Sequence, residues 1–174
     1  MIDPPWPQRK GGLRASRPKQ TRSLDYTTLS VDEIFALLDS EVLCRAARRH
    51  NVFLWTIDKF LTTAETQMEQ RKYKRHARLI WDKGNGVAPA FTVRYSHEYL
   101  LWYYKPPMLE IDISQRGKFT TVIREASRAH SRKPDAAYAL VEALYPASTY
   151  IDVFSREHRP RWQQWGDQTN WFSH

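Results

Sequence analysis

The sequence predicts an α/β domain, and three observations carry that prediction. Short runs rich in aromatic and β-branched residues alternate with segments of helical periodicity. One run, Val52-Phe53-Leu54-Trp55-Thr56, is almost continuously apolar, as expected of a strand buried on both faces. The length of 174 residues supplies one domain with a core and is too short for two of ordinary size.

The elements follow in order. Residues 7–25 carry Pro7, Gly11 and Gly12 among Arg9, Lys10, Arg14, Arg17, Lys19 and Arg22, which is the composition of a mobile basic loop. Such a loop is equally an ordinary solvated insertion and a clamp that closes on a bound strand. Ser30 caps a helix through Leu38, with Glu33 completing a capping box and Val31, Ile34, Phe35 and Leu38 as the apolar face. Residues 52–56 form a strand, and a second helix is expected over 59–70. Strands are expected at 77–81, 97–104 and 120–123. Residues 134–144 read as a helix opened by proline, with Ala137, Leu140, Val141 and Leu144 on one face, and 150–154 as the last strand.

Hydrophobic residues at 41% and charged residues at 26% are the balance of a chain that folds. Lys and Arg number 27 against 19 acidic residues, a net charge of +8 with a pI near 9.7. That excess favours a polyanionic partner. No apolar run spans a bilayer and no secretory signal opens the chain, so nucleic acid is favoured over a membrane surface. The single cysteine, Cys44, has no partner for an internal disulfide and no metal-ligand spacing around it. It reads as a small buried thiol in a chain suited to a reducing cytoplasm. No metal site is indicated.

The chemistry is concentrated in Asp3-Pro4-Pro5-Trp6. The exocyclic amine of adenine is a poor nucleophile because its lone pair is delocalised into the ring. A carboxylate accepting one N–H and a carbonyl accepting the other draw that nitrogen toward tetrahedral geometry and stabilise the positive charge that develops. Asp3 and the Pro4 carbonyl supply these acceptors, consecutive prolines fix the backbone that holds them, and Trp6 offers a face for the purine. In isolation the same four residues serve equally as a proline-rich turn over a buried tryptophan.

Several further motifs stand in a fixed order behind this segment, and together they resemble the adenine-N6 methyltransferases typified by the catalytic subunit of the eukaryotic mRNA adenosine methyltransferase. Tyr26-Thr27-Thr28-Leu29-Ser30 resembles that family's Y-x-T-M-S, Phe53-Leu54-Trp55 its F-L-W strand and Trp81-Asp82-Lys83 its W-x-K. His97-Glu98 matches H-E, the stretch from Ser131 to Asp135 matches S-x-K-P-D, 151–156 resembles I-E-L-F-x-R, and Trp165-Gly166-Asp167-Gln168 resembles W-G-N-E/Q. The match runs from Ile2 to about Gln168.

The resemblance implies a single Rossmann-like methyltransferase sheet with helices on both faces and a permuted order, catalytic D-P-P-W first and cofactor strand last. It implies S-adenosylmethionine as cofactor, consistent with the lack of a G-x-G-x-x-G phosphate cradle after any strand. By resemblance Asp3, Pro4, Pro5 and Trp6 are catalytic. Lys133 meets the methionine carboxylate, Asp152 and Arg156 lie at the ribose, His158 flanks them, and Asp167 with Gln168 reads the cofactor's adenine. Tyr26 and the basic loop are placed with the substrate. DNA is favoured over RNA because a compact chain resembles bacterial and phage members. The rivals are an RNA enzyme and an impaired nucleic-acid-binding subunit of the same fold.

Three departures from the family pattern stand out. Asp167 replaces a usual Asn, Asp152 is one methylene shorter than a usual Glu, and the insertion between Trp6 and Tyr26 is long. The family builds a hydrophobic strand into D-P-P-W that Met1-Ile2 is too short to supply, so the first strand is expected to be truncated. A late start, a homo- or hetero-oligomeric partner completing the edge, or a decayed gene each accounts for that.

Overall fold

The computed structural model describes residues 1–7, 28–87, 92–128 and 132–172. Four strands form one sheet in the order β1-β3-β2-β4: β1 Asn51–Thr56, β2 Lys74–Asp82, β3 His97–Tyr104 and β4 Val122–Arg124. Strand β3 runs antiparallel to both neighbours, in register from Asn51↔Tyr104 to Thr56↔Tyr99 on one side, while β4 is parallel to β2. A parallel pair, β5 Tyr150–Val153 and β6 Trp162–Trp165, stands separately.

Residues 1–3 join the two. Ile2 bridges Leu54 of β1 and Val153 of β5, parallel to each. Its N–H donates to the Phe53 carbonyl and its carbonyl accepts from Trp55, both at 2.8 Å. On the other side Asp3 N–H donates to Val153 at 3.1 Å and Val153 N–H to Met1 at 2.9 Å. The three residues thus satisfy the ladder on both sides.

Side-chain alternation divides the interior into two cores. Phe53 and Trp55 of β1, with Leu100 and Trp102 of β3, face α3 Asp135–Leu144. Val52 and Leu54, with Leu101 and Tyr103, face α1 Val31–Leu37 and α2 Leu61–Gln70. Helices therefore cover both faces, and β1 is buried along almost its whole length, as its apolar run requires.

Most expected elements are present. The capping box of α1 forms, Ser30 Oγ accepting from Glu33 N–H at 3.2 Å and the Glu33 carboxylate from Ser30 N–H at 2.7 Å. Four expectations need correction. Helix α2 starts at Leu61, because 58–60 make a 3-10 turn. Strand β4 is displaced to 122–124, where its pairing with Ile80, Trp81 and Asp82 places it. Strand β6 was not foreseen: Trp-Gln-Gln-Trp has no β-branched residue, and only pairing with β5 makes it extended. Cys44 is exposed: α1 gives way to a π turn over 38–42 and then a 3-10 turn over 43–45 that carries Cys44, whose thiol donates to the Ser40 carbonyl.

Leu101 is fully buried on the central strand, facing α1 and α2. Leu101→Ala is expected to lower unfolding free energy by about 2–5 kcal/mol, read from denaturant midpoints; a loss under ~1 kcal/mol would show that this core collapses to fill the space.

Candidate active site

Parallel strands present their carboxyl ends at one edge of a sheet, and ligands collect there in open α/β folds. Here residues 1–3 end at Asp3, β1 at Thr56, β5 leads into Phe154 and β6 into Gly166. All four residues line one cleft of about 1090 Å³. The sequence-predicted Asp3, Pro4, Pro5, Trp6, Lys133, Arg156, Asp167 and Gln168 line it too.

Its centre is a row of alternating charges. Lys133 Nζ lies 3.0 Å from an Asp3 oxygen and 3.2 Å from Glu98 Oε2, and Lys83 Nζ lies 2.5 Å from Glu98 Oε1. The lysine at 133 is one-tenth exposed, with its ammonium 5.6 Å from the Trp55 ring centroid. Burial raises the Asp3 carboxyl to about 6, with Glu98 adding to the rise and Lys133 opposing it. Burial works against charge on Lys133 as well, but Asp3 and Glu98 outweigh it and hold the ammonium well above its usual range. For Glu98 burial is likewise outweighed, here by Lys133 and Lys83, and its carboxyl sits low. The row stays charged because each ion has an opposite neighbour.

The prolines shape the exit from the sheet. Trp6 N–H donates to the Pro4 carbonyl at 2.8 Å, closing a three-residue turn, and Leu29 N–H donates to the Pro5 carbonyl at 3.0 Å. One lone pair of the Pro4 oxygen remains for a ligand.

The free face expected on Trp6 is largely taken. Its indole is 5% exposed, stacks on Phe60 at 5.2 Å and 11°, and donates its N–H to the Trp55 carbonyl at 3.0 Å. Trp6 is a wall of the cleft anchored in the α1/α2 core more than an open stacking platform.

The remaining predicted residues fall in different places. Arg156 holds its guanidinium 5.1 Å from the Trp171 ring and 4.8 Å from the Phe172 ring. Asp152 is buried and accepts from the Tyr138 hydroxyl at 2.9 Å. It lies off the main cleft, in a small recess shared with Asp3, Lys133, Phe154 and Arg156. Burial pushes its carboxyl up. His158 is exposed and does not line the cleft. Tyr26, Arg9, Lys10, Arg14, Arg17, Lys19 and Arg22 lie outside the described residues. Among the carboxyl-terminal tryptophans, Trp162 stacks on Tyr150 at 4.8 Å, Trp165 lines the cleft and Trp171 is 46% exposed.

Sequence reasoning noted His97-Glu98 and Trp81-Asp82-Lys83 as motifs and assigned neither a place in the site. The available signal was Glu98 itself, a carboxylate opening a strand that continues Tyr-Leu-Leu-Trp.

An α/β domain with a buried acid-lysine-acid row lining a cleft at the carboxyl ends of its parallel strands belongs to the broad class of open α/β folds that collect ligands at that edge. Comparison with known proteins narrows the class: the MT-A70 family model matches residues 1–168, and the chain belongs to the MT-A70 family. It is 29% identical over 97% of its length to the N(6)-adenosine-methyltransferase MT-A70-like protein of Drosophila melanogaster, covering 26% of that protein. It is 27% identical over 98% of its length to the N(6)-adenosine-methyltransferase MT-A70-like protein of Arabidopsis thaliana, covering 23% of it. To the N(6)-adenosine-methyltransferase catalytic subunit METTL3 of Homo sapiens it is 25% identical over 97% of its length, covering 27%. The chain spans about a quarter of the length of these relatives.

Two predictions follow from the geometry. Glu98→Gln removes a like charge from beside Asp3, so the Asp3 carboxyl should titrate below about 6; Lys133→Met removes its cation, so it should titrate higher. Carbon-detected NMR on the side-chain carboxyl reads both, and a common direction of shift would break the charge-row account. Gly166 has φ +149, and a Cβ there would stand 3.2 Å from Phe154 Cα. Gly166→Ala is therefore expected to cost about 1–3 kcal/mol of stability and to displace Asp167 and Gln168.

Proposed function

We propose that the chain is an S-adenosylmethionine-dependent methyltransferase acting on the N6 amine of adenine in nucleic acid. The observation that carries this is that Asp3 and Pro4, consecutive in the chain, both line a sheet-edge cleft, with Lys133 on the Asp3 carboxylate. A carboxylate and a carbonyl together suit an amine with two N–H bonds to donate. The relatives' names supply the reaction class.

The residues present suit the cofactor. A cleft of about 1090 Å³ has room for it beside a purine. Lys133 spends two of its three donors on Asp3 and Glu98, leaving one for the methionine carboxylate. Gln168 offers an amide to a base edge, and Arg156 lies where a ribose is expected. Asp152, held by Tyr138, supports that ribose site from the recess behind it. Bound there, S-adenosylmethionine supplies an electrophilic methyl group.

The protein's own part is to accept and to hold. Asp3 takes one N–H of the amine and the Pro4 carbonyl the other, so that the nitrogen is drawn toward tetrahedral geometry and its lone pair is withdrawn from conjugation with the ring. Lys133 keeps Asp3 ionised despite burial, and Glu98 with Lys83 keeps Lys133 fixed. These groups are oriented before the substrate arrives, which is where electrostatic catalysis gains most. The sheet order is read as the permuted Rossmann-like arrangement, with residues 1–3 as the catalytic strand and β5 as the cofactor strand.

DNA and RNA both offer adenine on a phosphate backbone; the relatives' names specify adenosine, the ribonucleoside, which favours RNA. Methyl transfer to matched adenine-containing DNA and RNA, read as N6-methyladenine after digestion, decides between them. The name of the human relative includes the word subunit, so the assay is run on the chain alone and with candidate partners.

Asp3→Asn is expected to reduce turnover by a factor of 100 or more while S-adenosylmethionine binding by calorimetry stays within about threefold. Wild-type turnover in that variant would reject the mechanism, and absence of cofactor binding in the parent would favour an impaired subunit. The acceptor works only as a carboxylate, so activity should fall as pH drops through about 6, close to tenfold per unit below it. A flat profile between pH 5 and 7 would show that Asp3 ionisation is not needed.

A further inference from the structure

Of the cations lining the cleft, Lys83, Lys133, Arg128 and Arg132 stand in ion pairs with carboxylates. The opposite end of the same sheet is different. There the chain enters β1 and β2 and leaves β3, and Arg48, Arg49, Lys72, Lys74 and Lys105 make no ion pair among the described residues.

The backbone brings these five together. Lys74 lies opposite Tyr104, which lies opposite Asn51. Lys105 N–H donates to the His50 carbonyl at 3.1 Å, and the Lys105 ammonium sits 4.4 Å from the Tyr73 ring centroid. The His50 ring meets the Tyr73 hydroxyl at 2.6 Å, which ties the turn carrying Arg48 and Arg49 to the turn carrying Lys72 and Lys74. Arg48, Arg49, Lys72 and Lys74 are exposed.

Lys72 is placed at a cost. Helix α2 ends in a two-bond cap, Tyr73 N–H donating to Met68 at 3.1 Å and Lys72 N–H to Glu69 at 2.9 Å, with Tyr73 and Met68 in one core. The residue between must be left-handed, and Lys72 has φ 61 where glycine is the usual choice. A helix dipole favours a cation at this end, but that accounts for Lys72 alone and not for Arg48, Arg49 or Lys74.

We propose that this end of the sheet is a second phosphate-binding surface, which holds a flanking stretch of the nucleic-acid strand whose target base enters the cleft. The proposal rests on the nucleic-acid reading of the cleft. Clustered, exposed, unpaired Lys and Arg are the footprint of a phosphate backbone, and no helix of the described residues is long and apolar enough to cross a membrane. Strand β1 has six residues, so the two sites lie about 20 Å apart, or roughly six nucleotides along a strand. Contacts of this kind position the polymer without reading sequence, so DNA and RNA should both engage.

The test compares single-stranded oligonucleotides of about 30 and about 4 nucleotides across a salt series, with the parent and with Arg48→Gln/Lys72→Gln/Lys74→Gln. Each phosphate contact on a single strand contributes about 0.7 to the slope of log affinity against log salt. The triple variant should flatten that slope by about 2 on the long oligonucleotide and leave the short one unchanged. Lys72→Gly, which suits the left-handed turn and so protects folding, should flatten it by about 0.7. An unchanged slope on the long oligonucleotide, or an equal loss on both lengths, overturns the surface while leaving the cleft reading intact. Failure of the parent to bind either length overturns both. Binding of the parent to phosphatidylserine vesicles that the triple variant loses, with the nucleic-acid slope unchanged, assigns the surface to a membrane and overturns the proposal.

Discussion

A carboxylate held in a place that disfavours its charge, beside a buried ammonium, is the constraint around which this site is arranged. Asp3 leaves the sheet between two parallel strands, where burial alone pushes its proton on. Lys133 opposes that, yet an ammonium buried beside one carboxylate would itself need support, and Glu98 and Lys83 extend the alternation until it reaches the edge of the cleft. Removing one member of such a row exposes the next to an unpaired charge in a low dielectric. Four elements far apart in sequence are thereby committed to one geometry: the segment of residues 1–3, the end of β2, the start of β3 and the approach to α3.

The same few residues carry the architecture. Residues 1–3 hydrogen-bond to β1 on one side and β5 on the other, so the site cannot form without the joint between the two groups of strands. Trp6 then drives into the α1/α2 core and stacks on Phe60, which anchors the turn that presents the Pro4 carbonyl. Aromatic packing here acts by rigidity. It keeps two acceptors in place that would otherwise lose orientation to a flexible amino-terminal segment.

How much of this was legible in the sequence depended on whether the signal was local. The capping box at Ser30 and Glu33, the buried run of β1 and the apolar face of α3 are set by neighbours within a few residues, and all three formed where the pattern placed them. Strand β6 has no local signal; Trp162 and Trp165 are extended because β5 lies beside them. Cys44 followed an apolar-looking context but sits where the helix loosens. In the site, Asp3, Trp81, Glu98, Lys133 and Gln168 from separate motifs line one cleft, while the charge row was hidden because ion pairing between residues 3, 83, 98 and 133 is a property of the fold. Asp152 shows the limit from the other side: an acid in an apolar strand was a sound signal of a special environment, but the sequence could not say that a tyrosine hydroxyl from α3 would meet it.

On the proposed function, in which the cleft takes a base from a nucleic acid, the position of Trp6 changes what the cleft asks of its substrate. If the indole is committed to Phe60 and the Trp55 carbonyl, the energy that draws a base out of its stack has to come from elsewhere. Unstacking costs a few kcal/mol, and a stacking contact returns about 1–3 kcal/mol. Without that return, phosphate contacts made away from the reacting base become more important, because binding energy gained remotely offsets the cost of ordering and distortion at the centre. Lys83, Lys133, Arg128 and Arg132 of the cleft are spent on internal pairs, which leaves less of that energy to be gained within it. On the proposed function, a site whose charges are turned inward to keep one carboxylate ionised depends on surfaces beyond the cleft to hold the polymer, and the lysines and arginines at the opposite end of the sheet, which make no ion pair among the described residues, are placed to do so.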